Sequence, residues 1–198
     1  GTIPNNIVNA QSICYSVGVG EDVSFDLALI ERYGCHVFAF DPTPRAEAFV
    51  ARHVRNPKFH HYSWGVWHQD ALVKFFGPRD ARHVSHSIDN LQATADFFQA
   101  SVRTLDWIMD RLGHRKIDLL KLDIEGAEYD VLESVSRRRT KVDWLCVEFH
   151  RGFDANQIRS SCYKVVHQLG NEVLLRRQYS TSERLLVEPS ATRPSPFL

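Results

Sequence analysis

Apolar and polar positions along this chain switch repeatedly between a period near two and a period near 3.6, and each switch marks an element boundary. QSICYSVGVG (11–20) reads as a short strand running into glycines, and VSFDLALIERYG (23–34) has helical spacing through Phe25, Leu27, Leu29 and Ile30 and stops at Gly34. CHVFAFDP (35–42) is a buried strand. Thr43 followed by Pro44 is an N-cap with proline at the first helical position, predicting a helix through Ala51. KFHHYSWGVW and ALVKFF predict strands around a turn, and SVRTLDWIMDRLG a helix ending at Gly113. IDLLKLD is the next strand, AEYDVLESV the next helix and VDWLCVEFH another strand. Asp154 with Gln157 forms a capping box for a helix ending before Gly170, and NEVLLRRQYS with ERLLVEP predicts a closing hairpin.

Strands alternating with helices predict an α/β fold. Parallel connections need a crossover of a dozen or more residues, so the sheet is mostly parallel, with helices on both faces and antiparallel pairing where the hairpin joins one edge. Residues 1–188 are expected to form one domain. The tail from 189 to 198, PSATRPSPFL, carries three prolines and is expected to be extended or disordered.

Composition narrows the partners. With 24 basic and 24 acidic side chains there is no net attraction to nucleic acid or an acidic membrane surface, so neither is an expected partner. No apolar run approaches the ~20 residues of a membrane span. Cys14, Cys35, Cys146 and Cys162 are far apart and mostly inside apolar segments, which predicts reduced structural thiols and a cytoplasmic setting. The chain begins at Gly1 without methionine, which suggests a trimmed sequence in which any leader or anchor upstream would not be seen. Nothing in the composition fixes an oligomeric state.

In open parallel sheets, ligands bind at the carboxyl ends of the strands, so those ends are where chemistry is expected. The first strand ends in Ser16-Val17-Gly18-Val19-Gly20-Glu21-Asp22, where glycines allow a tight turn and let backbone N–H groups approach a ligand. The second ends in Asp41, about twenty residues on, where an acid commonly accepts hydrogen bonds from ribose hydroxyls. Together they predict a nucleoside ligand. The dinucleotide fingerprint wants glycine or alanine where this chain has Val23, which weakens an NAD reading. S-adenosylmethionine needs no pyrophosphate cradle and carries an ammonium that Glu21 or Asp22 could meet.

LLKLDIEGAEYDVL (119–132) places Asp123, Glu125, Glu128 and Asp130 straight after a buried strand. It closely resembles the K-x-D-x-E-G-A-E hallmark of the FkbM family of S-adenosylmethionine-dependent methyltransferases, and the resemblance extends to SVGVGEDVSF, HVFAFDPTP, TLDWIM and WLCVEFH. It implies a Rossmann-like class I methyltransferase fold with a seven-stranded sheet and methyl transfer to oxygen, often a hydroxyl of a sugar or natural product. Family members commonly carry an acid where this chain has Ser16 and a glycine where it has Asp22.

The cofactor contacts expected on this basis are Ser16, Gly18, Val19, Gly20, Asp22, Asp41, Pro42, Ser63, Trp64 and Asp123. The catalytic set is Asp123, Glu125 and His150, the last as general base because its free pKa lies nearest neutral. Glu128 is expected to solvate, cap or touch acceptor hydroxyls. A Mg²⁺ variant would use Asp123 and Glu148. The ten histidines, including His60, His61, His68, His83 and His86, show no tetrahedral zinc spacing. Trp67, Phe75 and Phe76, like Trp64, are candidates to stack on adenine or a sugar. Residues 77–100, long and polar, are expected to lid a pocket for a small-molecule or glycan acceptor. The alternatives are an NAD(P)-dependent oxidoreductase and a non-catalytic nucleoside-binding module.

Overall fold

The computed structural model describes residues 7–76, 97–159 and 162–179. Most of the expected lid, the ERLLVEP segment and the proline-rich tail lie outside them. Five parallel strands form the body of a seven-stranded sheet: β1 (Ile13–Val17), β2 (His36–Phe40), β3 (Phe59–Tyr62), β7 (Ile117–Leu122) and β8 (Val142–Glu148). With the hairpin strands β9 (Tyr163–Leu169) and β10 (Glu172–Arg177), the order across the sheet is β3-β2-β1-β7-β8-β10-β9, and β10 is antiparallel to both its neighbours. That is the Rossmann-like class I methyltransferase arrangement with its closing antiparallel hairpin.

Side chains alternate across the central strands. Tyr15, Val17, Leu120 and Leu122 enter one core cluster, against α3 (Leu105–Leu112) and α4 (Glu128–Arg138). Cys14, Leu119, Val37 and Ala39 enter the other, against α1 (Ser24–Tyr33) and α2 (Pro44–His53). Both faces are therefore covered, as a parallel sheet requires. The predicted stops and caps form as expected: Gly34 and Gly113 close α1 and α3 in the left-handed conformation, and Thr43 Oγ1 accepts from the Ala46 N–H at the start of α2.

From β3 the chain crosses to β7 through a small second sheet of β4 (Gly65–Val66), β6 (Phe97–Arg103) and β5 (Ala71–Phe76). The helix expected from Ser101 starts only at Leu105, because Ser101, Val102 and Arg103 pair with β5 or β4 and Thr104 caps the helix through the Trp107 N–H. A second correction concerns the chain before Gly170. The helix there is only α5 (Ala155–Arg159), and Tyr163–Leu169 is the edge strand β9. Its β-branched Val165 and Val166 suit a strand, and Gly170, at φ 60, turns the chain into β10. The hairpin is thus β9 with β10.

The strand order reverses at β1. The chain leaves it towards β2 and β3 on one side and returns to β7 on the other, which opens a crevice above the carboxyl ends of β1 and β7. The four cysteines are free thiols. No helix among the described residues is long and apolar enough to cross a membrane.

Candidate active site

Three strand ends are stitched together over this crevice. The Gly18 N–H donates to the Phe40 carbonyl at the end of β2, and the Asp123 N–H, just past β7, donates to the Val17 carbonyl at 3.1 Å. Gly18 has φ 81, and a Cβ there would stand 1.7 Å from the Asp123 carbonyl oxygen. Only glycine lets the loop pass so close. Asp41 braces the same loop from β2: Oδ2 accepts from the Gly20 N–H at 2.9 Å, and Oδ1 accepts from the Thr43 N–H and hydroxyl at 2.8 and 2.6 Å. A carboxylate offers about four acceptor positions, so one remains for a ligand hydroxyl.

These residues surround a cavity of about 360 Å³, inside the ordinary range for small-molecule sites. Its apolar wall includes Phe40, Val66, Phe75 and Ile124; its polar wall is Thr43 with the acids Glu21, Asp22, Asp41, Asp123 and Glu125, and no Lys, Arg or His among the described residues lines it. Gly18, Val19, Gly20 and Pro42 also line it. Three of the expected contacts are not in the lining. Ser16 is buried within β1, Ser63 is exposed, and Trp64 stacks on Tyr62 and Phe40 and meets Trp107 edge-on. Trp67 and Phe76 are likewise outside it; Trp67 sits against His68 and Phe76 against Phe97.

Beside the cavity, the hallmark turn meets the loop after β8. Phe149 is fully buried against Tyr129 and Phe153, and the Tyr129 hydroxyl bonds Gly152 and Asp154, which fixes the loop carrying His150. His150 Nδ1 meets Glu128 Oε1 at 2.7 Å, and its Nε2 faces Asp123 Oδ1 at 3.6 Å and Glu125 Oε1 at 3.5 Å. The Glu128 contact, against the opposing effect of burial, pushes the His150 pKa up to about 9, with Glu125 and Asp123 adding to it. This environment favours the imidazolium, whereas a general base needs the neutral ring.

Glu128 is fully buried. Burial works to raise its pKa, but the bonds from His150 and from the Gly126 N–H outweigh burial and hold it below the usual glutamate range. Glu125 is one of two described non-glycine residues with positive φ, at 55°, and this sharp turn sets its carboxylate on the cavity wall. Glu148 stands exposed at the end of β8.

The Methyltransferase FkbM domain model matches residues 12–174, which includes every residue of this site. The chain belongs to the FkbM methyltransferase family. It is 28% identical over 177 residues to probable methyltransferase-like protein 24 of Rattus norvegicus and 26% identical to the Homo sapiens protein of that name. Each match covers 86% of this chain but 42% of the relative, so the chain spans less than half their length. An rRNA methylase from Streptococcus thermophilus superposes with a TM-score of 0.41 at 14% identity, covering 87% of this chain and 91% of that one.

Two acids of this FkbM domain matter beyond those the strand ends suggest. Glu128 shares a helix face with Val131, Leu132 and Val135, and that spacing among apolar residues is the signal that it points inward. Asp26 sits on the buried face of α1 with Leu29 and Ile30. Burial pushes its pKa up to about 6; Ser16 and Lys121 oppose the shift only in part, and neither Ser16 Oγ nor Asp26 Oδ1 completes a well-formed hydrogen bond.

The folded state therefore prefers the neutral acid, and the stability this contributes below about pH 4 is lost as pH rises through about 6. Asp26→Asn is expected to match the parent at pH ~3.5 and to exceed it by on the order of 2–3 kcal/mol at pH ~8. Urea unfolding at the two pH values measures the difference; a gap that does not grow with pH would count against a neutral Asp26.

Proposed function

We propose that this domain is an S-adenosylmethionine-dependent O-methyltransferase acting on a hydroxyl of a small molecule or glycan. The observation that carries the reading is the cavity at the β1–β7 switch point, walled among the described residues by five carboxylates and no cationic side chain. The donor's sulfonium and ammonium outweigh its single carboxylate, so it suits such a wall. A dinucleotide's pyrophosphate would face a wall made mostly of carboxylates, even with Arg45 beside Glu21 and Lys121 beside Asp123. Asp41 would receive one ribose hydroxyl, the Gly18–Gly20 loop would lie along the methionine portion, and Phe40, Val66 and Phe75 would shelter the adenine.

When bound, the donor supplies an electrophilic methyl group. The acceptor oxygen attacks that carbon in line, the sulfur–carbon bond breaks with its electron pair going to sulfur, and the hydroxyl proton must leave. Asp123 and Glu125, on the wall nearest His150, are placed to orient that hydroxyl and receive its proton. Carboxylates at the mouth also favour acceptors rich in neutral hydroxyl donors over phosphorylated ones.

Calorimetric titration with S-adenosylmethionine and S-adenosylhomocysteine tests the donor, and reduced nicotinamide fluorescence tests the competitor. Heat from both sulfur nucleosides with no change in nicotinamide emission is expected. Absence of heat from both, or a nicotinamide signal, would reject the reading.

A further inference from the structure

Nothing in the structure supports the Mg²⁺ pair expected from sequence, Asp123 with Glu148, and Glu148 is not in the group of three that the fold gathers. The carboxylate and imidazole atoms that converge are those of Asp123, Glu125 and His150, all within 4.8 Å of one another. We infer that these three side chains bind a first-row transition ion of the zinc type, in a four-coordinate site whose remaining position opens on the acceptor side of the cavity.

The spacing carries the argument. Nε2 lies 3.6 Å from Asp123 Oδ1 and 3.5 Å from Glu125 Oε1. These gaps exceed the roughly 2.7–3.2 Å at which an N–H donor and an oxygen share a proton well. Two metal–ligand bonds of about 2.1 Å span such gaps at an angle between about 110° and 120°, close to tetrahedral.

The outer contacts agree. Nδ1 meets Glu128 Oε1 at 2.7 Å, and that oxygen is itself held by the Gly126 N–H at 3.0 Å. In the metal-free site the second ring proton, on Nε2, faces the two carboxylates, and a bound ion would take that proton's place while Glu128 keeps the Nδ1 proton. A buried carboxylate orienting a histidine in this way is the usual support for a histidine metal ligand. One imidazole with two carboxylates also selects zinc- or manganese-like ions over Mg²⁺, which prefers oxygen and water in octahedral geometry.

Metal binding stands independently of the donor. Its catalytic consequence rests on the proposed O-methyl transfer: with the ion bound, Asp123 and Glu125 would serve as ligands in place of proton acceptors, an acceptor hydroxyl at the open position would lose its proton to water more easily, and the resulting alkoxide would bond to the methyl carbon as the sulfur–carbon bond breaks.

The test is calorimetric titration of chelator-treated full chain with Zn²⁺, followed by Co²⁺ to read the visible absorption of a four-coordinate site. One ion per chain is expected, weakened at least about 100-fold in both His150→Gln and Glu125→Gln, with Mg²⁺ failing to compete. Thermal melts of the variants confirm folding. No Zn²⁺ uptake, uptake unchanged by His150→Gln, a cobalt spectrum without four-coordinate intensity, or equal competition by Mg²⁺ would each overturn the site. S-adenosylhomocysteine titrated into the same metal-free protein reports separately on the donor reading, since its binding does not require the ion.

Discussion

Gly18→Ala is expected to cost the fold at least about 3 kcal/mol and to abolish binding of S-adenosylhomocysteine in whatever protein remains folded. Two costs combine. A non-glycine residue in the left-handed region pays about 1–2 kcal/mol, and φ at Gly18 is 81°. The larger cost is the collision of the new Cβ with the Asp123 carbonyl oxygen at 1.7 Å, a backbone atom that no rotamer can move aside. Relief requires parting β1 from the turn after β7, which breaks the Asp123 N–H to Val17 bond and displaces the carboxylates beyond it.

Gly20→Ala is the control: it also has positive φ, at 52°, but a Cβ there meets nothing within 4 Å, so only the backbone cost of about 1 kcal/mol should appear. Urea unfolding and calorimetry on both variants decide the matter. Equal effects at the two glycines would show that the close crossing at Gly18 does not hold the site together.

The rim of the sheet was legible because strand ends, glycines and acids are local signals. Gly18, Gly20, Asp41 and Asp123 stand at strand ends that the apolar runs already define, and a parallel sheet brings every such end to the same side. What the sequence hides depends on distance in the chain. The Glu128–His150 contact joins residues 22 positions apart, and it alters what His150 can do: an imidazole read in isolation titrates near neutral, whereas one flanked by three carboxylates holds its proton.

Trp64 shows the same limit from the apolar side, since an aromatic residue near a strand end is equally ready to stack on Tyr62 and Phe40 as on a ligand. At β9 the cause is different. The polar residues Asp154 to Gln157 do begin a helix, but its stop before the β-branched stretch has no glycine or proline to announce it.

Asp123→Asn is expected to lower kcat by about 10²- to 10⁴-fold while changing affinity for S-adenosylhomocysteine less than tenfold. The substitution keeps the shape of the side chain at the cavity wall and removes its charge. Folding should survive, because the charge partners, Lys121 Nζ at 3.2 Å and His150 Nε2 at 3.6 Å, both keep 22% side-chain exposure and Asp123 keeps 28%. Such a partly solvated pair contributes about 1 kcal/mol or less.

Donor affinity should change little because the residues placed to hold the nucleoside, Asp41 and the glycine loop, hang from β1 and β2 and keep their own hydrogen bonds. Turnover would depend on Asp123 differently in the proposed mechanism, since an amide does not accept the hydroxyl proton. A variant that loses donor binding in step with kcat would assign Asp123 to the nucleoside instead. One that keeps full turnover would move the proton acceptor to Glu125, the other carboxylate facing His150 Nε2.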